Sequence, residues 1–482
     1  MASSSQAISE THFSRSADGD SPVQHRLAFH GPTSMAISWN TYEAVQTPTI
    51  RYGFSKDALI FSARSKVSTT YPTSRTWNNH VIVEGLLPNT RYYYKVKSSS
   101  DGSDKSKGQD QVYSFKTPRL KGDRTPYTAA LVVDMGVMGS DGLSTTVGKG
   151  AANPLKPGET NTIQRLIAEK DSYEFVVHPG DLAYSDYWLK EVVQGYLPGN
   201  ISAGPELYEK LNEEFYDQLQ PVTSEKPYMV GPGNHEANCD NGGYKNYTES
   251  ICPMGQTNFT GYINRFNMPS AVSGGQGNFW YSFDYGMTHY VIFDTETDLG
   301  LGLVGPDELG GGANDNEGPF GATMNAQRDW LIKDLRSVNR KLTPWVVAAG
   351  HRPWYISAAA KNLCQPCQQS IEPILIEYGV DVVLHGHVHA YERTAPIRNG
   401  TVDPNELNNP SSPWYIINGA AGHYDGLDSL ATPRANFSRA SIDTLYGFSR
   451  LIFHNETHLT QEFVSSATGQ VMDSATLYKK RK

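Results

Sequence analysis

The chain has 482 residues, 38% hydrophobic and 11% aromatic with 28 tyrosines, enough for a sizeable core and more naturally divided into two domains than one. Its net charge is −9 with a pI near 5.9, and its basic residues form no stripe, which argues against nucleic acid as a partner and leaves attraction for an anionic substrate to local features. No apolar run approaches the ~18 residues of a membrane helix, so no membrane partner is expected.

Residues 1–22 are polar and Ser-rich and read as a disordered tail. From 23 to 118 the signals are all β. Alternating runs such as Ser34 to Trp39 and Tyr92 to Val96 are separated by turn residues, as a sandwich requires. Trp39, the turn from Leu86 to Thr90 and the tyrosines that follow resemble a fibronectin type III module. Residues 119–126 read as a linker.

From 127 to 482 strands alternate with helices. The predicted strands are Ala129–Val133, Glu174–His178, Pro227–Val230, His289–Phe293, Trp345–Ala349, Val380–Leu384 and Trp414–Ile417. Helices are predicted over Thr162–Lys170, Glu206–Leu219, Asn325–Val338 and Ser370–Tyr378; in the second, Leu207, Leu211, Phe215 and Leu219 form one apolar stripe. This alternation predicts a layered α/β domain with active loops at strand C-termini. Gly447–Tyr478 returns to β alternation and reads as a closing hairpin. The Gly-rich stretch from Leu299 to Ala322 is long for a connection, and reads either as a lid or as a solvated insertion.

Four cysteines fall in neighbouring pairs, Cys239 with Cys252 and Cys364 with Cys367, which fits two local disulfides among three connectivities. Cys364-Gln365-Pro366-Cys367 also matches a thioredoxin-type spacing, but the surrounding segment favours a structural bond. Six glycosylation sequons occur, at Asn200, Asn246, Asn258, Asn399, Asn436 and Asn455. With no apolar signal core after Met1, these features predict the mature form of a secreted or cell-wall glycoprotein. The closing Lys479-Lys480-Arg481-Lys482 reads as a solvated tail rather than a nuclear signal.

Five polar motifs each follow a predicted strand: Val133-Asp134-Met135-Gly136, Gly180-Asp181-Leu182-Ala183-Tyr184, Gly233-Asn234-His235-Glu236, Gly350-His351-Arg352-Pro353-Trp354-Tyr355 and Gly386-His387-Val388-His389. Residues two apart on an extended segment face one side, so His387 and His389 can reach one place. The ordered motifs resemble the calcineurin-like metallophosphoesterases, and a tyrosine three residues after Asp181 makes the chain similar to the large fungal and plant purple acid phosphatases.

That resemblance implies a two-sheet layered metallophosphoesterase domain behind the sandwich, and a site holding Fe(III) beside a divalent Zn, Mn or Fe. It implies that Asp134, Tyr184 and His389 bind the ferric ion, Asn234, His351 and His387 the divalent ion, and Asp181 both. Oxygen donors suit trivalent iron, and imidazole and amide suit the divalent ion. The ligands carry about −3 against about +5 from the metals, leaving a pocket for phosphate. It also implies that Asn234 and His235 contact substrate and that His235 protonates the leaving oxygen. Glu236 reads as an orienting group for His235 or a solvated carboxylate, His385 as a packing or supporting residue, and His289 as a satisfied core histidine. His12, His25, His30 and His80 precede the catalytic region and are expected to take no part.

Two departures stand out. Val133 replaces the glycine of many relatives, and no histidine follows the fourth motif, where plant members carry a substrate-binding pair. Arg352, Lys361 and His423 are candidate substitutes. The expected activity is hydrolysis of phosphate monoesters, phytate among them, at acid pH. Its rivals are a phosphodiesterase with two divalent metals and a non-catalytic cell-wall or binding protein.

Overall fold

The computed structural model describes residues 19–97, 111–138, 158–194, 199–240, 251–303, 325–359, 363–422 and 426–481. Two four-stranded antiparallel sheets come first. One orders Val23–Phe29, Met35–Thr41, Trp77–Val83 and Val67–Thr69; the other orders Phe61–Arg64, Thr49–Gly53, Arg91–Val96 and Tyr113–Lys116. Arg91–Val96 shows why these residues form a sandwich: Tyr92, Tyr94 and Val96 turn inward while the residues between them are more exposed.

Met35–Thr41 is buried at every position, because further chain covers the outer face of its sheet. Tyr94 donates to Ser224 O at 2.9 Å, Thr223 to His25 O at 2.6 Å, and Arg26 Nε to Arg265 O at 3.1 Å. These bonds tie the sandwich to helix Gly204–Thr223 and to Arg265 beyond it. Burial lowers His25 and His80 to about 4 each, so both serve this contact as neutral rings.

Two larger sheets follow. A six-stranded sheet runs Tyr228–Gly231, Val176–Pro179, Tyr127–Leu131, Gly447–Phe453, His458–Ser465 and Val471–Tyr478. A seven-stranded sheet runs Tyr281–Tyr285, Thr288–Ile292, Trp345–Ala349, Val382–His385, Trp414–Asn418, Tyr391–Thr394 and Ser438–Ile442. Aromatic side chains fill the space between them. Phe175 meets Phe283 and Tyr290 with ring centres 5.8 and 5.3 Å apart, and the Tyr127 and Tyr290 hydroxyls are 2.9 Å apart.

All seven predicted strands are present, shifted by one or two residues at most ends. The C-terminal segment is not a closing hairpin: it forms three strands, and Gly447–Phe453 pairs antiparallel with Tyr127–Leu131 inside the sheet. The reading of Lys479 and Arg481 as solvated is also corrected. Both contact buried Asp381, at 3.5 and 3.4 Å, and the Arg481 guanidinium lies 4.3 Å over the Trp345 ring.

Disulfides join Cys239 to Cys252 and Cys364 to Cys367. The second sits at the start of helix Gln365–Glu377, where Cys364 Sγ accepts from Cys367 N. No described helix is long and apolar enough to cross a membrane.

Candidate metal centre

The parallel strands Tyr127–Leu131, Val176–Pro179 and Tyr228–Gly231 of one sheet, and Trp345–Ala349 and Val382–His385 of the other, end at one edge of the layered unit. Each is followed within four residues by a candidate ligand. Asp134, Asp181, Tyr184 and His387 all take left-handed backbone angles, with φ of 60°, 55°, 52° and 67°. Such non-glycine residues cost about 1–3 kcal/mol each and cluster where function demands an unusual side-chain direction. Two glycines permit the close approach: a Cβ on Gly233 would collide with Asp181, and one on Gly386 with Val133 and Asp134.

Oxygen donors crowd one half. The Tyr184 hydroxyl lies 2.9 Å from Asp134 Oδ1, 3.0 Å from Asp181 Oδ2 and 3.0 Å from His389 Nε2. In the other half Asn234 Oδ1 lies 3.1 Å from His351 Nε2 and 3.0 Å from His387 Nδ1, while His351 Nε2 is 3.0 Å from Asp181 Oδ2. Ligand atoms of Asp181, His351 and His387 fall within 4.8 Å of one another. Asp181 thus belongs to both halves.

Electrostatics fit a site built for cations. Burial, then the adjacent Asp181 charge, pushes the Asp134 carboxyl well above the usual carboxylate range. Burial opposes ionisation of Asp181 too, but His351 and His235 outweigh it and hold that carboxyl well below the range. Burial, then the two carboxylates, pushes the Tyr184 phenol up. Two buried carboxylates and a phenol in contact relieve their repulsion by binding metal, and the donor types match one harder and one softer ion.

The model of the purple acid phosphatase N-terminal domain matches residues 22–117, that of the calcineurin-like phosphoesterases 153–391, and that of the iron/zinc purple acid phosphatase-like protein C 412–474. Acid phosphatase A of Cryphonectria parasitica is 41% identical over 489 residues, covering 96% of this chain and 93% of that protein. Purple acid phosphatase 23 of Arabidopsis thaliana is 30% identical over 442 residues, covering 86% and 82%. The chain belongs to the purple acid phosphatase family. The structure of a purple acid phosphatase from yellow lupin seeds shares the fold, with a TM-score of 0.71 at 22% identity over 96% of this chain and 75% of that one. The family implies a dinuclear metal centre and phosphate-ester substrates, and its fold is the sandwich and metallophosphoesterase unit described above.

Around this purple acid phosphatase centre, Asp186 and Asp428 are residues that the sequence motifs do not disclose, and they stand beside His235, Glu236 and His385, which the motifs do. His235 is 7% exposed; its Nε2 lies 3.7 Å from Asp181 Oδ2, and its Nδ1 contacts Asp186 Oδ2 at 2.6 Å. Glu236 neither orients the His235 ring nor stands free: its carboxylate accepts from the backbone N–H of Asp181, Leu182 and Gly233 at 2.8–2.9 Å, tying two ligand loops together. Asp428 accepts from His389 N at 2.8 Å and lies 3.9 Å from its Nδ1. His385 packs against Trp354 and Tyr415 with Nδ1 2.9 Å from Gly350 O, and burial lowers it to about 3.

His289 is satisfied, as expected, but as a cation. Burial would lower it, yet contacts with Asp284 at 2.7 Å and Asp334 at 2.9 Å raise it to about 9. Arg352 is buried, with Nε 2.8 Å from Glu296 Oε2 and Nη1 3.3 Å from His387 Nε2. Lys361, His423, Asn246, His12 and most of the Gly-rich segment lie outside the described residues. The sequon residues Asn200, Asn258, Asn399, Asn436 and Asn455 are all exposed.

Proposed function

We propose that this chain is an acid phosphatase that hydrolyses phosphate monoesters, phytate among them, at an Fe(III)–M(II) pair in which M is Zn, Mn or Fe. The observation that carries this reading is the Tyr184 hydroxyl in contact with Asp134, Asp181 and His389 at once. Asp134, Tyr184 and His389 would hold the ferric ion, Asn234, His351 and His387 the divalent ion, and Asp181 both. When bound, such a pair supplies Lewis acidity toward phosphoryl oxygens and lowers the pKa of water.

The protein's own part is to orient and protonate. Asp186 holds His235 by Nδ1 and leaves Nε2 facing the cluster, where the imidazolium can hand its proton to the departing alkoxide oxygen. Glu236 keeps the Asp181 and Asn234 loops in register through three backbone donors. Asn234 and His235 would meet the substrate phosphate. The exposed sequons and the two disulfides support a secreted glycoprotein.

Turnover of p-nitrophenyl phosphate and of bis(p-nitrophenyl) phosphate by one preparation at acid pH tests the substrate class. The monoester should be strongly preferred. A preference for the diester would support the two-divalent-metal phosphodiesterase reading instead, and no turnover of either would support the non-catalytic one.

A further inference from the structure

We infer that Asp428 is a positioning residue for His389: it fixes the ring toward the Tyr184 half of the centre and sets a negative charge behind it, which favours a trivalent ion there over a divalent one. The inference rests on the metal-centre reading and deepens it, because it gives one residue of this chain a part in choosing the ion's charge.

The two residues hold each other through their backbones. His389 N donates to Asp428 Oδ2 at 2.8 Å, and Asp428 N donates to His389 O at 3.0 Å. With the backbone so fixed, the ring places Nε2 3.0 Å from the Tyr184 hydroxyl and Nδ1 3.9 Å from Asp428 Oδ2. The second distance is beyond a hydrogen bond, so the carboxylate acts on the ring by its charge. A neutral imidazole that offers Nε2 to a metal carries its proton on Nδ1. That N–H edge is the one the carboxylate faces, and a negative group behind it makes the ligating nitrogen more basic.

Asp428 is carried by a fixed segment. Leu427 and Leu430 are buried, Leu430 N donates to Asp443 Oδ2 at 3.0 Å, and Ala431 N donates to Ser357 O at 2.7 Å. Among the described residues no lysine or arginine pairs with Asp428, so its charge is not cancelled by a neighbour.

A ring of the other half is backed differently. His351, whose Nε2 meets Asn234 Oδ1 and Asp181 Oδ2, has the neutral Pro179 O 3.2 Å from its Nδ1. Of these two rings, the carboxylate serves the one among the oxygen donors. A negative charge attracts a trivalent ion more than a divalent ion at the same place. The Asp428 side chain is 46% exposed, so water screens the effect and places it near the lower end of the 10- to 100-fold that outer partners contribute to metal affinity, about 10-fold.

The test uses the full chain as wild type, Asp428→Asn, Asp428→Glu and Asp428→Ser. Three quantities are read: the reduction potential of the iron, the position of the visible band, and iron per chain after dialysis against graded EDTA. Asparagine can still accept from His389 N, so Asp428→Asn removes the charge and keeps the backbone contact. It should raise the potential, move the band to longer wavelength and release iron at about 10-fold lower EDTA, because a ferric ion with less negative charge around it takes up an electron more readily. Asp428→Glu should lie nearer wild type on all three. Asp428→Ser, also neutral, decides the matter if Asp428→Asn does not fold. Wild-type potential and band in Asp428→Asn would overturn the inference, and so would an Asp428→Glu altered as much as Asp428→Asn. A wild-type chain with no iron and no visible band would instead sink the metal-centre reading itself.

Discussion

Replacing Asp186 by Asn should separate proton delivery from metal binding. Asp186 and His235 are buried and meet at 2.6 Å, Oδ2 to Nδ1. Burial raises the Asp186 carboxyl, and His235 beside it pulls the other way. A hydrogen bond to a charged partner is worth about 1.5–3 kcal/mol, so its loss from the proton-delivering state corresponds to about 10- to 150-fold in kcat. Asparagine preserves the shape but not the charge. The alkaline limb of the rate profile should move to lower pH, because the imidazolium loses its counter-charge. The loss should be larger for an alkyl phosphate than for p-nitrophenyl phosphate, whose leaving group needs no proton. The assay is kcat against pH for both substrates, with metals per chain measured alongside. Equal losses on the two substrates, or an unchanged rate with both metals in place, would refute proton delivery through His235.

His289 should stabilise the fold only on the acid side. Its folded value near 9 against 6.5 gives about 3.4 kcal/mol, reduced to about 2–3 because Asp284 is one-third exposed. A raised folded pKa means the contribution is complete below pH 6.5 and lost as pH rises through 9. Urea midpoints of His289→Gln should thus fall below wild type at pH 5.5 and converge with it near pH 10. Asp381 meets Arg340 at 3.0 Å besides Lys479 and Arg481, and accepts from Val346 N; Asp381→Ala should cost about 2–4 kcal/mol in urea titration. Val382–His385 starts beside Asp381 and the metal loop follows its other end, so kcat of the folded variant should be unchanged. Gly386→Ala should lower metal content and activity together, since its methyl group would occupy the space of Asp134 and Val133; metal analysis and a thermal melt check this.

Most of the centre was readable because each candidate ligand follows a buried apolar run, so chain order alone put the ligands at one sheet edge. Strand ends moved where the backbone leaves the sheet to aim a ligand: Ala129–Val133 was expected, but Tyr127–Leu131 forms the strand and Val132 and Val133 deliver Asp134. Strand Tyr281–Tyr285 was missed although Tyr281, Phe283 and Tyr285 alternate with Ser282 and Asp284, a signal that could have found it. Pairings across distance were not readable. Asp186 and His235 stand 49 residues apart and Asp428 and His389 stand 39 apart, and no local periodicity links them. The final strands showed their alternation, but nothing local to Gly447–Phe453 says that it pairs with Tyr127–Leu131.

The most direct test of the centre is the visible absorption spectrum of wild type and Tyr184→Phe, with metal analysis on the same samples. Wild type should hold two metals per chain, one of them iron, and show a broad visible band that Tyr184→Phe loses. A colourless wild type holding two divalent metals would contradict the assignment of Tyr184 to ferric iron.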